Sequence, residues 1–109
     1  MEYKFDFRSD RRGIHSIDNF LTDMIMGHEI EFFFDGDCFF VDQDEEYNIE
    51  HKNLALSERH YLLQRCEDFN GTHDEIIFSG TYEEILDYEL KDGLTLRNNF
   101  DKFSVHLIF

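Results

Sequence analysis

The stretch that decides the fold runs from residue 28 to residue 42: His28-Glu29-Ile30-Glu31-Phe32-Phe33-Phe34-Asp35-Gly36-Asp37-Cys38-Phe39-Phe40-Val41-Asp42. Two apolar-rich segments flank Asp35-Gly36, the dipeptide of a two-residue hairpin turn, in which both central residues take positive φ. That turn fixes the register. Phe34 faces Asp37, Phe32 faces Phe39 and Ile30 faces Val41, which makes one apolar face. On the other face Phe33 meets Cys38, Glu31 meets Phe40 and Glu29 meets Asp42, because side chains alternate along a strand. The Glu29/Asp42 pair opposes like charges and is unfavourable. A register shift, a bulge or an external cation relieves it. The second face is partly apolar through Phe33, Cys38 and Phe40. It is either covered by the chain itself, as expected here, or an interface.

Upstream of the hairpin, Ser16 is placed to cap a helix reaching about Met26. Ile17, Phe20, Leu21, Met24 and Ile25 share one helical face, and Gly27 is a stop signal. That helix is the natural cover for the apolar face of the hairpin. Tyr3, Phe5 and Phe7 alternate as a short strand, followed by the basic cluster Arg8, Arg11 and Arg12, which is either a loop that pairs with the acidic hairpin or a solvated turn, with the solvated turn preferred.

Downstream, residues 43–53 are polar and extend the second strand through Tyr47 and Ile49, or loop. Residues 57–66 fit both a helix from Ser57 and a strand through Tyr61 and Leu63, with the strand preferred. Asn70-Gly71 marks a turn and Glu75–Phe78 a strand. Thr81-Tyr82-Glu83-Glu84 has the form of a capping box, opening a helix through Leu90 that ends near Asp92-Gly93. Thr95 is placed to cap a last helix with Leu96, Phe100 and Phe103. Residues 104–109 alternate again as a terminal strand. The expectation is a single α+β domain over residues 1–109, with an antiparallel sheet of about four to five strands packed against two to three helices.

The order of helix, Gly27-His28-Glu29-Ile30-Glu31-Phe32, hairpin, strand, Thr81-Tyr82-Glu83-Glu84-Ile85-Leu86 and Lys91-Asp92-Gly93-Leu94 resembles small uncharacterised proteins of low-GC Gram-positive bacteria and their mobile elements. The resemblance covers residues 16 to 103. It implies a helix, a three- or four-stranded antiparallel sheet and a helical C-terminal part. Its motifs are structural, so it carries no functional residue across.

Charge is the other strong signal. Asp and Glu number 25 against 10 Lys and Arg, a formal net charge of −15. Nine carboxylates, Glu29, Glu31, Asp35, Asp37, Asp42, Asp44, Glu45, Glu46 and Glu50, fall within residues 29–50, which hold no Lys or Arg. Nucleic acid and anionic membrane both require cationic footprints, so direct binding to either is disfavoured. Binding to a basic protein surface is permitted, with faster encounter at low salt, while solubility alone is the plainer reading of the charge. Thirteen Phe and five Tyr, with 41% hydrophobic residues, supply a core and argue against disorder. The N-terminal residues carry no signal-like apolar stretch, so a cytoplasmic protein is expected. Asn70-Gly71-Thr72 is then a turn rather than a glycosylation site.

Catalytic and metal motifs are weak. Cys38 and Cys66 form no short metal or redox motif and read as buried thiols. Asp42-Gln43-Asp44 begins like a calcium loop, but Glu46 and Tyr47 stand where further ligands and a Gly are needed. The six His residues form no paired zinc spacing. His60 and Cys66 lack any positioning signal for nucleophilic chemistry. There is no Gly-rich phosphate loop. No enzyme, cofactor or metal is expected.

The leading expectation is therefore a non-enzymatic, acidic protein-interaction module. The nine carboxylates, with Phe33 and Phe40, form its partner-binding set. In the sharpest version carboxylates stand in for phosphates and occupy the groove of a nucleic-acid-binding enzyme, as anti-CRISPR and anti-restriction inhibitors do. One alternative is an immunity or antitoxin protein for a basic toxin. Another is a structural domain whose acidity only confers solubility. A homodimer through Phe33 and Phe40 is compatible with each.

Overall fold

The structure is a computed structural model that describes Ile14, residues 16–66 and residues 74–108. The expected strand at Tyr3–Phe7, the Arg8/Arg11/Arg12 cluster and the Asn70-Gly71 turn lie outside the described residues. The fold is α+β, a five-stranded antiparallel sheet with helices and a small second sheet.

Helix α1 (Ile17–Ile25) begins as expected, with Ser16 Oγ accepting from the Asn19 backbone N–H. Asp18 sits in its first turn, where the helix dipole favours negative charge. Gly27 follows the helix end with φ of +90°, the left-handed conformation of a helix stop.

The hairpin formed by β1 (Ile30–Phe34) and β2 (Asp37–Gln43) has the register set by its turn, with Phe34/Asp37, Phe32/Phe39 and Ile30/Val41 paired. Asp35 and Gly36 both take positive φ, 49° and 88°. Pairing ends at Ile30/Val41, so Glu29 and Asp42 stand one step beyond the ladder, where no backbone pairing holds them opposite each other. Asp42 instead accepts from the Gln43 N–H at 2.7 Å.

Residues 45–50 correct the expected strand extension. They form helix α2 (Glu45–Glu50), capped by Asp44, whose carboxylate accepts from the Tyr47 N–H. The alternation of Tyr47 and Ile49 is overridden by this cap and by two glutamates in the first turn. A short 3-10 turn, Leu56–Glu58, leads into β3 (Tyr61–Cys66), which is a strand and not a helix. β4 (Asp74–Gly80) follows.

Helix α3 (Tyr82–Asp87) has the expected capping box: Thr81 Oγ1 accepts from the Glu84 N–H, and the Thr81 N–H donates back to Glu84 Oε1. These bonds hold the Glu84 carboxyl below its ordinary range. The helix ends at Asp87, short of the expected stop. Asp92-Gly93 instead turns a two-stranded sheet, β5 (Glu89–Lys91) with β6 (Leu94–Thr95). The expected last helix from Thr95 is a turn, with Thr95 Oγ1 accepting from the Asn98 N–H, followed by a 3-10 turn at Phe100–Lys102. β7 (Phe103–Ile108) is the expected terminal strand.

The large sheet has the order β4-β3-β2-β1-β7, so the last strand closes against the first. Its covered face carries Ile30, Phe32, Phe34, Phe39, Val41, Tyr61 and Leu63, all fully buried. Phe20, Leu21 and Met24 of α1, with Ile85 and Leu86 of α3, complete the same core. Phe20 lies at its centre, edge-on to Phe32 at 5.9 Å and to Phe103 at 5.4 Å between ring centroids, geometry that adds to plain area burial.

Candidate functional site

The structure divides the nine carboxylates among three places. Asp35 and Asp37 sit at the hairpin tip, where Lys91 reaches across from β5. Its Nζ donates to the Asp35 carbonyl at 2.8 Å and lies 3.2 Å from Asp37 Oδ2 and 3.4 Å from Asp35 Oδ2. These contacts, Asp37 foremost, raise the Lys91 pKa above its ordinary value. Lys102 Nζ lies 3.9 Å from Asp35 as well. The tip is locally charge-compensated.

Glu31 departs from the expected outward-facing set, because it is buried at 6% exposure. Its Oε2 accepts from His106 Nδ1 at 2.9 Å, and its Oε1 lies 3.7 Å from the Cys66 thiol. It lies on the reverse face of the sheet with Phe33, Cys38, Phe40, Leu62, Gln64, Cys66, Ser104 and His106. His106 reaches that face by alternation from Ser104, and a bulge opposite Glu31 and Phe32 leaves it as the extra residue of β7. Phe33 is half-buried, 5.0 Å from the His106 ring, and Phe40 and Cys38 are half-buried beside it.

The remaining carboxylates gather at the other end of the hairpin. Asp42 and Asp44 are half-buried and committed to backbone bonds, and Asp44 Oδ2 also accepts from Ser79 Oγ. Glu29 is half-buried, whereas Glu45, Glu46 and Glu50 stand exposed on α2. None of the six residues of α2 is buried, and Ile49 is 70% exposed. A helix this short does not hold itself in water, so it needs anchors, which two adjacent groups supply. The Asn48 side-chain amide pairs with the His60 backbone in both directions, at 2.9 and 3.0 Å. Tyr47 lies stacked against His60 at 3.6 Å and against His51 at 4.0 Å. Beside the helix is an open cleft lined by Gln43, Glu45, Asn48, Ile49, His51, Asn53, Leu54 and Arg59.

Two features were hidden from the sequence reading. The rigid acidic helix was one, since α2 buries no apolar stripe that periodicity would reveal. The other is the closeness of the cysteines. The β2/β3 pairing at Phe39/Arg65 places Cys38 and Cys66 at the next opposed position, and their sulfurs and a Glu31 oxygen all lie within 4.8 Å of one another.

Comparison of the chain with protein-family models, with curated proteins and with solved structures finds no match. No described helix is long and apolar enough to cross a membrane.

Proposed function

We propose that this chain is a non-enzymatic, acidic protein-interaction module that docks on a basic protein surface through α2. The observation that carries the reading is the exposure of Glu45, Glu46, Ile49 and Glu50 on α2, whose Tyr47 and Asn48 are turned to the anchor at His60. Glu45, Glu46 and Glu50 face solvent around the exposed Ile49, on a backbone fixed by the Asp44 cap and the Asn48–His60 pair. Fixed carboxylates lose little freedom on docking, and an apolar centre with a charged rim is the usual anatomy of an interface. In the sharper form of the proposal these carboxylates occupy the phosphate-binding groove of a nucleic-acid-binding enzyme. In the immunity form they meet a single basic toxin.

The test is affinity capture at low and high salt with three proteins: the wild type, a Glu45→Gln/Glu46→Gln/Glu50→Gln variant whose fold is checked by circular dichroism and melting temperature, and a control bearing Asp35→Asn and Asp37→Asn at the compensated tip. Asp44 is left unchanged because it caps α2. The expected result is salt-sensitive capture of a basic protein by the wild type and the tip control, and loss of capture by the α2 variant. The loss should include a drop in association rate of roughly tenfold or more at low salt. Displacement of the partner by DNA or RNA identifies mimicry, and a partner with no nucleic-acid affinity identifies immunity. Equal capture by the α2 variant and the wild type rejects the reading.

A further inference from the structure

We propose that Cys38, Cys66 and Glu31 form a zinc site on the reverse face of the sheet, with His106 orienting the carboxylate. The inference is independent of the docking role of α2, which lies on different residues.

β1, β2 and β3 are adjacent and antiparallel, and each contributes one donor to the same face. Cys38 and Cys66 oppose each other one step beyond the Phe39/Arg65 pair, while Glu31 lies diagonally across from Cys38, two residues before its partner Phe33. Sheet pairing therefore brings together residues far apart in sequence, which explains why no short spacing motif announces them. The two sulfurs and one Glu31 oxygen fall within 4.8 Å of one another.

The separations suit a tetrahedral ion. Zinc holds thiolate sulfur at about 2.3 Å and carboxylate oxygen at about 2.0–2.2 Å, which puts a sulfur and an oxygen ligand about 3.6 Å apart. Glu31 Oε1 and Cys66 Sγ already stand 3.7 Å apart. Two thiolates and a carboxylate select a borderline-soft ion and disfavour calcium and magnesium, which prefer oxygen shells. Zinc is favoured over copper(I) by the carboxylate in the set.

The surroundings fit the same chemistry. Glu31 is a buried carboxylate, which requires a compensating partner. The divalent ion would compensate it through Oε1, while Oε2 keeps its bond from His106 Nδ1 at 2.9 Å. Such an outer contact fixes ligand orientation and is typically worth tenfold to a hundredfold in metal affinity, to order of magnitude. Binding would displace a proton from each thiol, since the thiolate is the ligand. Three protein donors leave a fourth position for water or an added ligand.

The experiment uses the full chain, reduced, stripped with chelator and moved to chelator-free anaerobic buffer. Cobalt(II) is titrated first as the spectroscopic probe, then displaced with zinc(II). The expected result is a 1:1 complex with a thiolate-to-cobalt charge-transfer band, tetrahedral d–d absorption and both thiols shielded from an aromatic disulfide reagent. Zinc should also raise the melting temperature, because it binds only the folded state. Cys38→Ser and Cys66→Ser should each abolish the charge-transfer complex of two thiolates, with circular dichroism confirming the fold. Glu31→Gln, nearly isosteric, keeps both thiols and should weaken binding about tenfold to a hundredfold, and His106→Ala should do the same. The proposal is overturned if the reduced wild type gives no thiolate–cobalt band, or if that band survives unchanged in either serine variant. It is also overturned if Glu31→Gln binds as tightly as the wild type.

Discussion

His106 Nδ1 donates to Glu31 Oε2 at 2.9 Å, across the bulge that interrupts the β1/β7 pairing. The carboxylate side chain is 8% exposed and the imidazole 37% exposed. Ser104 and His106, two residues apart, alternate onto the face that carries Glu31, and the bulge leaves His106 as the extra residue beside it. A chain-terminal strand is thereby pinned to the central hairpin by a polar contact as well as by its backbone ladder.

The first prediction concerns that pair. Removing the imidazole with His106→Ala leaves Oε2 of a buried carboxylate without its donor, while Oε1 keeps the Cys66 thiol. Loss of a hydrogen bond to a charged group, discounted for the partly exposed ring, is expected to cost about 1–2 kcal/mol. Urea unfolding with chelator present, so that metal plays no part, measures it. A double-mutant cycle with Glu31→Gln should give a coupling of about 0.5–1.5 kcal/mol. Strict additivity of the two single variants would show that the contact contributes nothing.

Tyr61 gives the second. Its ring is fully buried, and its hydroxyl has no hydrogen-bond partner among the described residues. Burial pushes its pKa up to about 12. Tyr61→Phe keeps the ring and removes the unsatisfied oxygen, so stability should be unchanged or rise by up to about 1 kcal/mol at neutral pH. The pH dependence has a definite sign. A folded pKa above the unfolded value of about 10 gives stability that is complete below pH 10 and is lost as pH rises toward 12. Tyr61→Phe should lack that alkaline loss. Ultraviolet titration should show one fewer late-ionising tyrosine in the variant than in the wild type. A destabilised variant at pH 7 would mean that the hydroxyl is bonded after all.

How much of this could be read from the sequence depends on whether local chemistry or distant pairing set each feature. The hairpin register was legible in full, because Asp35-Gly36 admits one turn geometry and that geometry fixes every pair from Phe34/Asp37 to Ile30/Val41. Ser16 and Thr81 were legible as caps for the same reason: the cap bonds are local. Helix α2 was misread because Tyr47 and Ile49 alternate, and because a helix that buries nothing writes no 3.6-residue stripe. Asp92-Gly93 serves equally as a helix stop or a hairpin turn. Only the extended backbone of Tyr88, with ψ of 132°, shows that α3 has already ended and that Glu89–Lys91 pairs back on Leu94–Thr95. The approach of Cys38 to Cys66 depended on β3 being a strand, which residues 57–66 alone do not decide.

The third prediction tests the turn on which that register rests. Gly36 has φ of +88°, and a Cβ built there meets nothing within 4 Å. The cost of a side chain at this position is therefore conformational and not steric. Gly36→Ala should destabilise by about 1–2 kcal/mol, the ordinary penalty for an L-residue held left-handed. Gly36→Asn should cost less, because its short polar side chain tolerates that region. Thermal unfolding should rank the proteins Gly, then Asn, then Ala. Equal stability of Ala and Gly would mean that the turn has a second accessible geometry.

The last prediction concerns the bridge between the two sheets. Lys91 touches the Asp35 carbonyl and both tip carboxylates, and this raises its pKa. A raised pKa means that folding favours the protonated amine. The contribution is therefore present below the unfolded lysine value of about 10.4 and fades as pH climbs through the folded one. Lys91→Met keeps the chain length and the apolar stem but loses the charge and its donors. Its melting temperature should sit below that of the wild type by a constant amount from neutral pH to about pH 9, and the gap should close in strong alkali. Tyr61 also titrates in that range, but it is present in both proteins and cancels in the difference. Added salt should narrow the gap at neutral pH, since the carboxylate contacts are solvent-accessible and screened. The bond to the Asp35 carbonyl is less sensitive to salt, so a residual gap should survive. A gap independent of both pH and salt would assign the effect to the methionine side chain itself and remove Lys91 as the electrostatic link between the hairpin tip and the β5/β6 sheet.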